Sequence, residues 1–249
     1  MKTINIIGFG NVAQHLIKNM LLQNDIKIQN ILVRQLQENN LELNNNLFVT
    51  NINDLKPADI TIISVSDNAI EELSNNIPYQ DQLVVHTSGT TALTLLNNKN
   101  RKGVFYPLQT FSKTKSLDFT KVPLCLEATN KQDLDTLKWL ANLLSKAVYE
   151  VNSEQRKSLH VAAVFVSNFV NHMYTIGNDI CKQNNVSFDV LKPLIQETAD
   201  KINYLNPKDA QTGPAVRFDT KTIAKHEAFL QNNTYKTLYK LITESIQNV

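Results

Sequence analysis

The sequence predicts an α/β protein in which a mostly parallel sheet, layered with helices, is followed by an all-helical region. Three observations carry this. Short β-branched runs alternate with amphipathic helical patterns up to about residue 152. Strand signals stop at Ser153 and helical periodicity takes over. The first strand ends in a glycine turn that opens directly into a helix. Alternation of this kind needs crossover connections, and crossovers on a parallel sheet place helices on both faces.

Each element has its own signal. INIIGFG (4–10) is a β-rich run ending in glycines, and NVAQHLIKNMLLQ (11–23) sets Val12, Leu16, Ile17, Met20 and Leu21 at helical spacing. IQNILVR (28–34) reads as a second strand, LFVTN (47–51) as a short third and ADITIISVSD (58–67) as a buried fourth. Asp67 is expected to cap the helix NAIEELSNN (68–76). QLVVHTSG (82–89), GVFYPLQTF (103–111) and VPLCLEAT (122–129) continue the strands, KQDLDTLKWLANLLSK (131–146) is an amphipathic helix, and AVYEV (147–151) closes the series.

Residues 1–152 are therefore expected to form one domain and 153–249 a second. In the second, Leu159, Ala163, Val166, Val170, Met173, Gly177 and Ile180 follow a 4-3-4-3 spacing, which predicts one helix of about eight turns. Its middle, VAAVFV, is apolar almost all round, so burial on several sides is expected, including against a second copy of the chain as a homodimer. His160, Ser167, Asn171 and Asn178 fall on one arc of α-helix, flanked by Asn168 and Thr175, and fit a cleft wall or a solvated face equally. Three more helices are expected: 188–205 with Pro193 near its start, 220–232 and 234–248.

Composition narrows the function classes. Lys and Arg number 25 against 23 Asp and Glu, a net charge of +2 with no basic run, so a nucleic-acid partner is not expected. The two cysteines, Cys125 and Cys181, have no metal-ligand spacing, and His86, His160 and His226 include no locally spaced pair, so no metal site is expected. The start MKTINIIGFG reads as a strand rather than a signal peptide, and the longest apolar stretch is too short to cross a bilayer. A cytoplasmic protein without a membrane partner is the expectation.

Gly8-Phe9-Gly10-Asn11-Val12-Ala13 fits the pattern G-x-G-x-x-G/A. The first glycine permits the tight turn and the second lets a pyrophosphate approach the backbone. The small last residue lets helix and strand pack closely, and the helix start offers free N–H groups to phosphate. The turn therefore predicts a Rossmann-like dinucleotide site. At the end of the second strand stands Val33-Arg34-Gln35, with no acid before Glu38. An acid there would hold the ribose hydroxyls of NAD, whereas a guanidinium suits a 2′-phosphate, so NADP(H) is favoured over NAD. Ser64-Val65-Ser66, after the fourth strand, should line the same crevice.

Several segments carry a family resemblance: GFGNVAQHL, VHTSG, YPLQTF, LHVAAVFVSNF and GPAVRFDTKTIAKH, in that order along the chain. With these the chain resembles bacterial two-domain proteins that join a Rossmann-like domain to a C-terminal helical domain of unknown function. They are relatives of the 6-phosphogluconate dehydrogenase-like group, which includes β-hydroxyacid dehydrogenases and pyrroline-carboxylate reductase. The resemblance implies an NADP-dependent oxidoreductase without implying a particular reaction. Tyr106 stands where the family usually has histidine, Leu159 where an aromatic is usual, and Phe218 where glycine is usual. The long helix lacks the lysine that β-hydroxyacid dehydrogenases use as acid and base.

In this architecture Ser64, Ser66, His86, Thr87 and Ser88 would face the nicotinamide from the sheet, and His160, Asn168, Arg217, Asp219 and His226 from the helical domain. His86, His160 and His226 are the candidate proton donors, since imidazole titrates near neutrality. Ser88, Asn168, Arg217 and Asp219 are the candidate substrate contacts. Ser88 could instead cap a helix TALTLLN (91–97), and Asp219 a helix starting at Thr220, with capping the stronger reading for Asp219. Arg217 precedes a helix start that would repel it, so an anion contact explains it better. The expectation is hydride transfer to or from a C=O or C=N bond of a small anionic substrate at an interdomain cleft. The alternative is a dinucleotide sensor without chemistry.

Overall fold

The computed structural model describes residues 1–36, 43–112, 115 and 117–248. Glu38, the first acid after the second strand, lies outside the described residues. The elements of the first part are β1 (Lys2–Ile7), α1 (Asn11–Met20), β2 (Ile26–Leu32), β3 (Phe48–Val49), β4 (Ile60–Ile63), α2 (Ile70–Asn76), β5 (Leu83–His86), β6 (Arg101–Pro107), β7 (Leu124–Ala128), α3 (Lys131–Leu144) and β8 (Val148–Glu150). They form an eight-stranded sheet in the order β3-β2-β1-β4-β5-β6-β7-β8. Every pairing is parallel except β6 with β7. The strand order reverses between β1 and β4, which is where a doubly wound sheet opens its ligand crevice.

The central strands explain their own composition. All four residues of β4 and all four of β5 are buried, as expected of parallel strands covered on both faces. One face packs Ala13, Leu16, Ile17 and Met20 of α1 with Leu137, Leu140 and Leu144 of α3. The other packs Ile70, Ile77 and Leu96 over Ile7, Ile63 and Val84. Leu21, placed on the apolar stripe by spacing, is instead 48% exposed, because α1 ends at Met20.

Two capping expectations are corrected. Ser66, not Asp67, precedes the short 3-10 turn Asp67–Ala69 that leads into α2, and its side chain makes no capping bond. Asp67 accepts a hydrogen bond from the Thr90 hydroxyl instead. Ser88 caps no helix: its Oγ accepts from the N–H groups of Thr90 and Thr91 at 3.1 and 2.9 Å, and the segment folds as a turn.

The helical part comprises α4 (Ser153–Ala163), a π-helical segment Val164–Phe169, α5 (Val170–Gln183), α6 (Lys192–Lys201), α7 (Thr220–Phe229) and α8 (Asn233–Gln247). Its first stretch is thus not one regular α-helix. The α-helical spacing that sets His160 and Asn171 on one arc does not hold across the π segment. The chain divides into two compact units, Met1–Ser167 and Asn168–Val249. The division falls fifteen residues beyond the expected 152/153 boundary, because α4 is tied to the first unit through Ser153, Arg156 and His160. The expected burial of VAAVFV is not met within the chain: Val161 is half exposed and Val166 is 74% exposed. Among the described residues no helix is long and apolar enough to cross a membrane.

Candidate functional site

At the β1/β4 switch point the glycine turn lines an open groove of about 1010 Å³. Its walls are Gly8, Phe9, Gly10, Asn11 and Val12 after β1, Val33 and Arg34 after β2, and Ser64, Val65 and Ser66 after β4. The structure thus brings together every cofactor-contact residue expected from the sequence. It adds Gln109 and Phe111, which follow β6, and Thr50 and Asn51, which follow β3. The loop after β6 is fixed to α1, since the Asn11 side chain donates to the Phe111 carbonyl at 3.0 Å.

The two glycines do different work. Gly8 sits at φ +107, and a Cβ there would lie 2.2 Å from the Ser64 carbonyl oxygen, so only glycine fits. Gly10 has an ordinary φ of −74 as the residue before α1, and a Cβ there would meet nothing within 4 Å. No side chain caps this helix start, so the turn leaves backbone donors and open space where a diphosphate would lie. The residues present fit a dinucleotide. Arg34 is exposed at the groove edge, as a 2′-phosphate contact requires.

A second cluster lies at the ends of β5 and β6. His86 ends a fully buried strand and is itself 0% exposed. Its Nδ1 accepts from the Ser88 N–H at 3.2 Å, and its Nε2 is buried without a partner. Burial first, and then the nearby Arg156 charge, push its pKa down to about 3. A ring held neutral in this way does not suit the proton-donor role expected of it. Ser88 is buried, with its hydroxyl spent on the turn. Thr87 bonds to Ser64 of the groove at 3.2 Å, so the two clusters are contiguous. His160 is half-buried on α4, and its Nδ1 lies 3.1 Å from the Tyr106 hydroxyl. Gly89 packs against both rings.

Beneath these groups lies a charge network that the sequence reading did not find. Arg156, 1% exposed, pairs with Glu127 and donates to the Thr91 carbonyl at 2.6 Å and to Ser153 Oγ at 3.2 Å. Its Nε is also buried without a partner. Arg156 reads in sequence as one more charge in a polar first helical turn. Only the approach of β7 carrying Glu127 makes it a buried ion, so no local signal marks it.

The remaining candidates lie in the second unit. Asp219 caps α7, accepting from the Thr222 N–H at 3.1 Å and the Thr222 hydroxyl at 2.7 Å. Those two bonds, more than the Arg217 charge, hold its carboxyl below the usual range. His226 Nδ1 bonds to the Tyr239 hydroxyl at 2.9 Å. Asn168 and Arg217 are exposed. Phe218 has φ +53, left-handed backbone in which glycine is at ease, which accounts physically for the glycine usual at this position in the family resembled.

A reversing parallel sheet with a glycine-lined switch-point groove, followed by a helical unit, defines a two-unit Rossmann-like protein. A family model described as a domain of unknown function, DUF2520, matches residues 122–246. A solved structure from Bacteroides fragilis, provisionally described as an NADP oxidoreductase, is 36% identical with a TM-score of 0.87. That match covers 100% of this chain and 98% of that one. The chain belongs to this DUF2520 family. More distant structures share the fold. Pyrroline carboxylate reductase from Plasmodium falciparum, solved with NADP bound, has 15% identity and a TM-score of 0.65, covering 99% of this chain and 96% of that one. An imine reductase from Myxococcus stipitatus in complex with NADP+ has 13% identity and a TM-score of 0.63, covering 99% and 92%. No curated protein matches the chain.

Proposed function

We propose that the protein is an NADP(H)-dependent oxidoreductase that reduces a C=O or C=N bond of a small anionic substrate, or runs the reverse reaction. The carrying observation is the open groove over Gly10, which has the free space and backbone donors that a diphosphate needs. The 36% identical Bacteroides fragilis protein, provisionally described as an NADP oxidoreductase, supports the cofactor. Bound there, the dinucleotide supplies the hydride. The N–H groups at the start of α1 hold the diphosphate, and Arg34 holds the 2′-phosphate. Ser64, Val65 and Ser66 orient the cofactor. His160 supplies the proton: it lies in the cluster at the ends of β5 and β6 that adjoins the groove, whereas His86 there is held neutral and His226 is bonded to Tyr239. Arg217, exposed on the second unit, takes the anionic group of the substrate.

Calorimetric titration with NADPH and NADH, followed by NADPH oxidation over a panel of keto acids and cyclic imines, tests this reading. Binding with NADPH preferred and turnover of at least one substrate is expected; no binding of either dinucleotide refutes it. The neutral His86, and the absence of lysine between Lys157 and Lys182, favour a second reading: a dinucleotide sensor. Binding without turnover on any of the panel would select that one.

The active form proposed is a homodimer through the helical unit. Among the described residues of that unit, only Ala215 and Thr243 are buried, while Leu194, Val190 and Leu241 are more than half exposed. Apolar surface on that scale calls for a partner, and a second copy supplies one. A monomer in sedimentation at micromolar concentration overturns this.

A further inference from the structure

We infer that Tyr106 is a positioning residue that fixes the tautomer and orientation of His160, so that Nε2 is the nitrogen that carries the proton. The role of His160 as proton donor rests on the reading above; the assignment of its tautomer rests on the Tyr106 contact and on where the phenol proton can go.

Tyr106 lies on β6, three residues before Gln109, which lines the groove. Its residue is 8% exposed, and its hydroxyl stands 3.1 Å from His160 Nδ1. The rings are tilted at 55° with centroids 6.2 Å apart, so the contact runs through the hydroxyl and not through stacked faces. A buried phenol must place its proton on an acceptor. Of the groups whose charge reaches the phenol, Arg156 offers only donors and the Asp67 carboxylate is bonded to the Thr90 hydroxyl, while His160 Nδ1 lies within hydrogen-bond reach and offers a lone pair when it carries no hydrogen. The phenol therefore donates to Nδ1, which leaves the hydrogen on Nε2. Burial, chiefly, pushes the phenol pKa up to about 12, so the hydroxyl keeps its proton across the working range.

When His160 is protonated, its Nδ1–H can donate to the same oxygen only if the hydroxyl hydrogen turns away from its acceptor, so the phenol supports the Nε2–H ring. A carboxylate would favour the imidazolium, and a backbone carbonyl would demand Nδ1–H at all times. The opposite side of the pair is closed by Gly89, where a methyl group would lie 2.5 Å from His160 Nδ1 and 2.8 Å from Tyr106 Cζ. Glycine at 89 is what lets the two rings meet. This gives a use to Tyr106, one of the positions at which the chain departs from the family pattern.

The test is nitrogen NMR of the histidine-labelled full chain at about pH 8.5, where an ordinary imidazole is neutral. His160 is identified by the signal missing from His160→Gln. The expected wild-type result is a hydrogen on Nε2 and an Nδ1 resonance at a hydrogen-bonded position. In Tyr106→Phe and in Gly89→Ala that resonance should move to the position of a free acceptor. A wild-type hydrogen on Nδ1, or an Nδ1 resonance unmoved in both variants, overturns the inference. A kinetic arm follows on any substrate turned over. Tyr106→Phe should lower kcat by about tenfold or more, with KM and NADPH affinity within about twofold. Unchanged kcat alongside a lost hydrogen bond also overturns it. Failure of the wild type to bind NADPH would sink the oxidoreductase reading, and the NMR result would still decide the tautomer.

Discussion

Substituting Gly10 by aspartate should weaken cofactor binding by roughly a hundredfold or more while leaving the fold as stable or slightly more so. Gly10 has a backbone that any residue adopts, and the position its Cβ would occupy is empty to 4 Å. It also precedes α1 without a side-chain cap, and aspartate is a better cap than glycine by a few tenths of a kcal/mol. The melting temperature should therefore stay level or rise by about 1 °C. The same carboxylate would stand where the diphosphate binds. Two unit charges about 4 Å apart repel by about 1 kcal/mol in water and about 4 kcal/mol at an effective dielectric of 20. A value of about 3 kcal/mol weakens NADPH binding by roughly a hundredfold or more. Gly10→Asn isolates the charge: it should bind better than Gly10→Asp, with a gap that narrows as salt is raised. Gly8→Ala provides the contrast. Its Cβ would overlap the Ser64 carbonyl at 2.2 Å in a left-handed backbone, which costs on the order of 2–4 kcal/mol and lowers the melting temperature by roughly 4–12 °C. Thermal melts and titration calorimetry check both. Wild-type NADPH affinity in Gly10→Asp, or a melt as depressed as that of Gly8→Ala, would refute the reasoning.

Arg34→Ala should weaken NADPH roughly 10- to 100-fold, the worth of a charged hydrogen bond, and leave NADH nearly unaffected; equal losses for both would place Arg34 outside the 2′-phosphate site. His86 sets an acid limit. Its folded pKa of about 3 lies below the ordinary 6.5, so between those values the unfolded chain takes up a proton that the folded one refuses. Its contribution is present above pH 6.5 and is lost as pH falls, by up to about 1.4 kcal/mol per pH unit. Denaturant melts of His86→Gln between about pH 4.5 and 6.5 should show that much less slope; an unchanged slope refutes the assignment. Arg156→Ala leaves Glu127 and the Thr91 carbonyl without their buried partner and should cost about 3 kcal/mol, whereas Arg156→Met with Glu127→Leu should recover most of the loss, read by thermal melts. Arg217→Ala should raise KM for an anionic substrate with NADPH affinity unchanged, and a loss of NADPH affinity would reject it as a substrate contact.

The groove over the glycine turn was legible because its parts are local. Glycine spacing, a preceding strand and a following amphipathic helix all lie within about twenty residues, and the strand-end rule places Arg34 and Ser64 beside them. The candidate histidines were legible as residue types but not as environments. His86 reads like any polar residue at a strand end, and it is neutral because β4 and β6 flank it within a covered sheet. His160 gains its meaning from Tyr106, 54 residues away on another element.

The sequence by itself determined the layered sheet, the helical second part and the glycine cradle, because periodicity and turn chemistry act over one or two elements. Tertiary structure alone decided the ionisation of His86, the Tyr106–His160 pair, the Arg156–Glu127 ion pair and the π segment within the long helix. Proton affinity and buried charge depend on which distant atoms exclude water from a group, and that is settled only when the strands and helices close on one another.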